Sequence, residues 1–227
     1  EHWRARTRLR LSAGPGVGGG LVVVGSSEGD IAALEAGDGK ERWRVRVGGE
    51  VLAAPAVSDT VVVVRTVDGR LHGLSATDGR ELWINEQNVP RLSLRGTAPP
   101  VIVGDAALCG FDNGKVVAVT LSDGAVLWES SVAPSRGRTD LERLVDIDSP
   151  VFVDGNDVFV VGFQGRAAML ALESGQIWWA RDVSSERGMA VSDSTMFISG
   201  ANGDLQALRR RDGAPVWEQT ALHRRGL

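Results

Sequence analysis

Residues 29–43 read GDIAALEAGDGKERW: a glycine, a run of mostly apolar residues, an Asp-Gly pair and a closing tryptophan. The template, Gly-x-apolar-x-x-Leu/Val-x4-Gly-x3-Trp, recurs without a gap in GRLHGLSATDGRELW (69–83), GKVVAVTLSDGAVLW (114–128), GRAAMLALESGQIWW (165–179) and GDLQALRRRDGAPVW (203–217). One match would mean little, but five in register identify a repeat protein. The closing residues Trp43, Trp83, Trp128, Trp179 and Trp217 are 40, 45, 51 and 38 residues apart.

Working outward, a β-branched or apolar run precedes each template: LVVVG (21–25), VVVVR (61–65), AALCG (106–110), VFVVG (158–162) and TMFIS (195–199). Before the last four comes a short apolar strand with a tight turn, in PAVSD, VIVGD, VFVDGND and MAVSDS. Asp-Gly or Ser-Gly then turns the chain back into the Trp-bearing strand, as hairpins favour. Units of this length with four antiparallel strands predict an all-β fold, a β-propeller of five blades. The recurring Trp is expected to pack between neighbouring blades, and the template Gly to supply a turn that a Cβ would obstruct. WRARTRLRL (3–11) matches WRVRVGGEV (43–51), so Trp3 is expected to open the last strand of a preceding blade. Residues 1–227 are therefore read as one propeller domain that forms part of a larger ring.

Composition narrows the function. The chain has 227 residues, 43% of them hydrophobic, and a net charge of −4, which argues against a sequence-independent grip on nucleic acid. Its single cysteine, Cys109, excludes an internal disulfide framework and any Cys-based zinc site. No stretch approaches the roughly 20 apolar residues of a membrane helix. EHWRARTRLR lacks an apolar signal region, so any targeting segment is expected to lie before residue 1.

Searching for catalytic or metal chemistry yields architecture instead. His2, His72 and His223 show no metal-ligand spacing, and His72 is read as a blade-surface residue. Cys109 lies in an apolar strand and is read as an inert buried thiol. GPGVGGG (14–20) has glycine spacings like a phosphate loop, but no helix follows, so it is read as a flexible connecting loop. DGND (154–157) is read as a hairpin turn, not a calcium loop. Arg209 and Arg210 are read as exposed template positions.

Two connections exceed the repeat: VPRLSLRGTAPP (89–100) and SRGRTDLERLVDIDSP (135–150). Each joins a Trp strand to the first strand of the next blade, in adjacent units, so they are expected near one another on one face. In extended form Leu92 and Leu94 share a side, as do Asp146 and Asp148. Either the leucines fill a local core while the aspartates pair with Arg143, Arg95 or solvent, or the two stretches form a docking surface.

The endings ALEAGDGKERW, AVTLSDGAVLW and ALRRRDGAPVW resemble the repeat of the pyrroloquinoline-quinone-type propellers. They differ from WD40 endings, since Arg, Ile, Glu, Ala and Glu follow the five tryptophans. Within that superfamily the whole chain resembles the BamB family, propeller lipoproteins of the outer-membrane β-barrel assembly machinery. LSLRGTAPP (92–100) and ERLVDIDSPVFV (142–153) carry the resemblance most specifically. The resemblance implies an eight-bladed ring held at the periplasmic face of the outer membrane by an N-terminal lipid, expected to be attached outside residues 1–227. It implies a non-enzymatic scaffold without cofactor or metal, with the POTRA domains of BamA as partner and unfolded outer-membrane protein precursors as a further one. It places docking on Leu92, Leu94, Arg95, Asp146 and Asp148. The alternative is a quinone-dependent dehydrogenase on the same fold, whose family pattern of a vicinal cysteine pair and a calcium constellation has no counterpart around Cys109.

Overall fold

The computed structural model describes residues 2–90, 97–133, 147, 149–163, 165–183, 185, 188–200 and 203–220. Among them it is all-β: twenty strands form five four-stranded antiparallel blades. Blade 1 comprises β1 (Gly16–Gly18), β2 (Leu21–Gly25), β3 (Asp30–Glu35) and β4 (Glu41–Arg46), paired in that order. Blade 2 comprises β5 (Ala56–Val57), β6 (Val61–Arg65), β7 (Arg70–Ser75) and β8 (Glu81–Glu86). Blade 3 comprises β9 (Val101–Val103), β10 (Ala106–Gly110), β11 (Lys115–Thr120) and β12 (Val126–Ser131). Blade 4 comprises β13 (Phe152–Asp154), β14 (Asp157–Val161), β15 (Arg166–Ala171) and β16 (Ile177–Asp182). Blade 5 comprises β17 (Met189–Val191), β18 (Thr195–Ser199), β19 (Leu205–Arg209) and β20 (Pro215–Gln219).

Two compact units divide the chain, and the division passes through blade 3. The first holds Glu1–Val89, Pro99–Leu108 and Val119–Val126; the second holds Pro90–Ala98, Cys109–Ala118 and Leu127–Leu227. In the first, Leu21, Val23, Ile31 and Trp43 of blade 1 pack with Val62, Val64, Leu74 and Ala76 of blade 2. In the second, Phe159, Val161, Met169 and Trp179 of blade 4 pack with Met196, Ile198 and Leu208 of blade 5.

Burial by a blade on either side explains the strand sequences. β6, VVVVR, is buried at every position and so lacks alternation. The outer strand β4, ERWRVR, buries only its tryptophan fully. In blades 1, 2, 4 and 5 the pairing of the Trp strand also shifts register beside the Trp: the break falls between Ala33 and Leu34, Gly73 and Leu74, Met169 and Leu170, and Ala207 and Leu208.

One geometry explains the repeated Trp and the turn Gly together. Trp43 Nε1 donates to Ala76 O at 2.9 Å, Trp83 Nε1 to Leu121 O at 2.7 Å, Trp128 Nε1 to Leu172 O and Trp179 Nε1 to Arg210 O at 2.8 Å. Each acceptor lies just before the Asp-Gly or Ser-Gly turn of the following blade, and the turn Gly lies against the indole ring. A Cβ on Gly124 would fall 2.5 Å from Trp83 Cε3, and φ there is +70°. The position thus demands glycine twice, for its left-handed backbone and for the ring beside it. Trp3 repeats the pattern, donating to Ala36 O at 2.8 Å, with its ring where a Cβ on Gly39 would be. Residues 3–10 form no ladder among the described residues; Leu11 alone bridges to Ser26. Trp217 is 44% exposed and meets Phe197 of its own blade, ring centroids 6.0 Å apart.

The structure corrects three readings. GPGVGGG is not a loop: Gly16–Gly18 is β1, with Gly16 opposite Val23 and Gly18 opposite Leu21. It has no apolar signature because β5 lies too close for side chains. A Cβ on Gly16 would sit 1.9 Å from Pro55 O, and one on Gly18 2.1 Å from Val57 O. His72 is not on the blade surface. It is 2% exposed in β7, opposite Val64 and Ile84, and its Nδ1 lies 2.9 Å from Glu81 Oε2. Arg210, unlike Arg209, is largely covered, for reasons given below.

Candidate docking surface

The five residues expected to dock a partner, Leu92, Leu94, Arg95, Asp146 and Asp148, lie outside the described residues. The structure describes the anchors on either side of them. Beyond β8, Gln87 N–H donates to Gly69 O at 3.0 Å, and Val89 lies against Gly69. The first connection resumes at Thr97 and Ala98, both buried. Cys109 is fully buried, and its thiol donates to Ala98 O at 3.6 Å and Gly110 O at 3.4 Å. It is enclosed by a strand and a connection, far from the exposed electropositive setting that makes a thiol reactive.

The second connection leaves β12 with Val132 and Ala133 buried and both N–H groups donating to Gly114 O, at 3.0 and 3.1 Å. Ile147 is 1% exposed, and its N–H donates to Phe111 O at 3.4 Å. Ser149 and Val151 are also buried, whereas Pro150 is exposed. Ile147, Ser149 and Val151 thus turn inward at alternate positions, as an extended chain does over a packed surface.

Blade 2 departs from the repeat in ways the template comparison overlooked. Arg65 is fully buried at the end of β6, where the other blades carry Gly25, Gly110, Val161 or Ser199. His72 occupies the place of Ala32, Val117 and Ala168, and its Nε2 is buried without a hydrogen-bond partner. Aligning the units position by position reveals both, since Arg65 stands where the other blades carry a small or apolar residue and His72 where three of the four others do.

A cleft of about 750 Å³ opens between blades 4 and 5, lined among others by Asp157, Met169, Asp193 and Arg209 to Arg211. Its cations are engaged. Arg210 donates to Asp154 Oδ2 at 2.5 Å and Asp157 Oδ2 at 3.0 Å, and its guanidinium stacks 5.1 Å from the Phe159 ring centroid. The bond to Asp154, then that to Asp157, holds the guanidinium pKa above its ordinary value. Arg209 and Arg211 both meet Asp212, at 3.2 and 3.5 Å. Arg210 is thus a tie from the blade 5 turn to the DGND hairpin, where Asp154 faces Asp157 across Gly155-Asn156. Among the described residues, no group of three or more His, Cys, Asp or Glu side chains is placed to hold a metal ion.

Comparisons with known proteins fit this geometry. A family model described as outer membrane protein assembly factor BamB matches residues 1–219. The BamB of Xanthomonas campestris pv. campestris is 44% identical over 220 residues, covering 97% of this chain and 54% of that protein. The BamB of Escherichia coli K12 is 40% identical over 226 residues, covering 99% of this chain and 57% of its own length. The chain spans about half the length, or less, of the curated relatives it matches. Among solved structures, BamB from Moraxella catarrhalis superposes with a TM-score of 0.92 at 27% identity, over 97% of this chain and 67% of that one. A quinohemoprotein alcohol dehydrogenase from Pseudomonas putida HK5 superposes with a TM-score of 0.79 at 15% identity, over 96% of this chain and 43% of that one; this likeness is of fold alone.

Proposed function

Because the chain belongs to the BamB family of outer membrane protein assembly factors, we propose that it is part of a non-enzymatic scaffold of the outer-membrane β-barrel assembly machinery. It works at the periplasmic face of the outer membrane, held there by an N-terminal lipid, and docks onto the POTRA domains of BamA. The observation that carries this reading is identity of 40–44% with named assembly factors across 97–99% of the chain. The dehydrogenase reading has only a shared fold behind it, and a fold hosts many functions.

Docking is assigned to Leu92, Leu94 and Arg95 together with Asp146 and Asp148. Neither stretch is required by the repeat, and both depart from anchors that are firmly packed. Ile147, Ser149 and Val151 are buried and anchor the second connection. Leucines supply apolar contact, while arginine and carboxylates add charge-assisted hydrogen bonds that fix orientation. Co-purification of BamA with the intact protein from envelope extract tests this. Leu94→Ala with Arg95→Ala should abolish co-purification at an unchanged thermal midpoint, whereas Arg80→Ala, at an exposed turn position, should not. Retention of BamA by the folded Leu94/Arg95 variant places docking elsewhere.

A further inference from the structure

The segment that precedes blade 1 carries a row of arginines that the repeat does not explain. Burial alternates along it: Trp3, Ala5, Thr7 and Leu9 are partly covered, and Arg4, Arg6, Arg8 and Arg10 are exposed. Contacts at both ends and in the middle hold the segment along blade 1. Trp3 donates to Ala36 O, the Arg44 guanidinium donates to Thr7 O at 2.8 Å, and Ser27 N–H donates to Arg10 O at 3.3 Å. Among the described residues, Arg4, Arg6 and Arg8 meet no carboxylate, and Arg10 lies 3.8 Å from Glu28 with most of its side chain in water. In β4, by contrast, Arg42 is engaged by Glu35 and Arg44 by Glu41. Arg4 and Arg6 take the repeat places of Arg44 and Arg46, which are exposed in a complete four-stranded blade.

Charge at this place in the repeat changes sign along the chain. β8, β12, β16 and β20 hold Glu81, Glu86, Glu129, Asp182 and Glu218 against Arg181 alone, whereas residues 2–11 hold four arginines and no acid. Arg8 adds an independent observation. Its φ is +59°, and among the described residues it is the one non-glycine with positive φ. That conformation is costly for arginine and natural for glycine. No contact within the fold offsets the cost, and a backbone outlier of this kind points to function.

We propose that Arg4, Arg6, Arg8 and Arg10 form a contact surface for anionic phospholipid headgroups, a second hold on the membrane beside the lipid anchor. The choice of a membrane rests on the reading that the protein works at the outer membrane. Protein interfaces depend on desolvated apolar or aromatic anchors at their centre. Between Arg4 and Arg10 every exposed side chain is a guanidinium. Evenly exposed charge without such an anchor suits a mobile layer of phosphates, which guanidinium forks bind well. The whole chain carries −4, so the row is a local feature and not a general basicity.

The test is sedimentation of the intact protein, prepared without lipid attachment, with vesicles of phosphatidylcholine alone or mixed with phosphatidylglycerol. It should bind the mixed vesicles and not the neutral ones, and should be released as salt rises. Each arginine near an anionic surface is worth about fivefold, so Arg4→Gln/Arg6→Gln should weaken binding about twentyfold. Arg209→Gln/Arg211→Gln removes the same charge from exposed side chains of blade 5 and should leave binding within about twofold. Arg8→Gly should weaken binding about fivefold while the thermal midpoint holds or rises, because the left-handed backbone suits glycine. Equal binding to both kinds of vesicle overturns the proposal. So does parent-like binding by the Arg4/Arg6 and Arg8 variants, or equal weakening by the blade 5 variant. Loss of BamA capture by the Arg4/Arg6 variant with vesicle binding intact also overturns it, and assigns the row to an acidic protein. A parent protein that binds anionic vesicles but captures no BamA supports the lipid contact and removes the scaffold reading.

Discussion

A tryptophan in this chain matters according to how far it is covered. Trp128 is buried, with Nε1 on Leu172 O and its ring against the Gly175 turn. Trp128→Ala is expected to cost about 3–5 kcal/mol, the usual effect of deleting a large buried aromatic. Trp217→Ala, at a 44% exposed copy of the same position, is expected to cost about 1 kcal/mol or less. Denaturant midpoints of the two variants check the contrast, and equal losses contradict it. His72 gives the opposite expectation. Its Nε2 is buried without a partner, and Glu81 is half-exposed to water. His72→Val, the residue found at the matching position 117, is expected to leave stability unchanged or raise it by about 1 kcal/mol, since an unpaired buried polar group is removed. A clear fall in the thermal midpoint contradicts that. Single side chains were the least legible part of the sequence. His72 and Arg210 look like surface residues in a strand or turn, and only the neighbouring strand, with Glu81 in one case and the Asp154–Asp157 hairpin in the other, shows that they are covered.

Within the blades, four turns place an aspartate carboxyl on the backbone N–H two residues on. Hydrogen bonds hold the carboxyls of Asp38, Asp78, Asp123 and Asp212 below the ordinary aspartate pKa of 3.8. For Asp38 the main cause is the Lys40 side chain, for Asp78 the Ser75 hydroxyl and for Asp123 the Thr120 hydroxyl, each followed by a backbone N–H two residues on. For Asp212 the Ala214 N–H comes first. A carboxyl depressed in the folded state contributes stability above its unfolded pKa and loses it as pH falls through the folded value. The thermal midpoint should therefore decline as pH drops from about 5 toward 2, and a variant carrying Asn at all four positions should decline less. Parallel declines in the two proteins contradict this role. Strands were the most legible elements: LVVVG and VVVVR coincide with β2 and β6 residue for residue. β1 escaped because its GVG is selected by the approach of β5, a constraint between blades that leaves no apolar pattern within one.

Across the whole chain, the five tryptophans revealed the architecture, and the two stretches that the repeat does not require are the ones proposed to dock a partner. Their anchors are now described, in Thr97, Ala98 and Ile147. What the sequence did not disclose is that Ile147 packs on Gly110, because a β-strand glycine says nothing about which residue sits on it until the connection is folded back over the blade. The central claim is that this chain docks BamA through Leu92, Leu94, Arg95, Asp146 and Asp148. The most direct measurement is a calorimetric titration of the POTRA region of BamA into the parent protein, the Leu94→Ala/Arg95→Ala variant and the Asp146→Ala/Asp148→Ala variant, all of matched thermal midpoint. Each variant is expected to bind at least about tenfold more weakly than the parent, as loss of about 2 kcal/mol at an interface centre requires. Parent-like affinity in both folded variants contradicts the account.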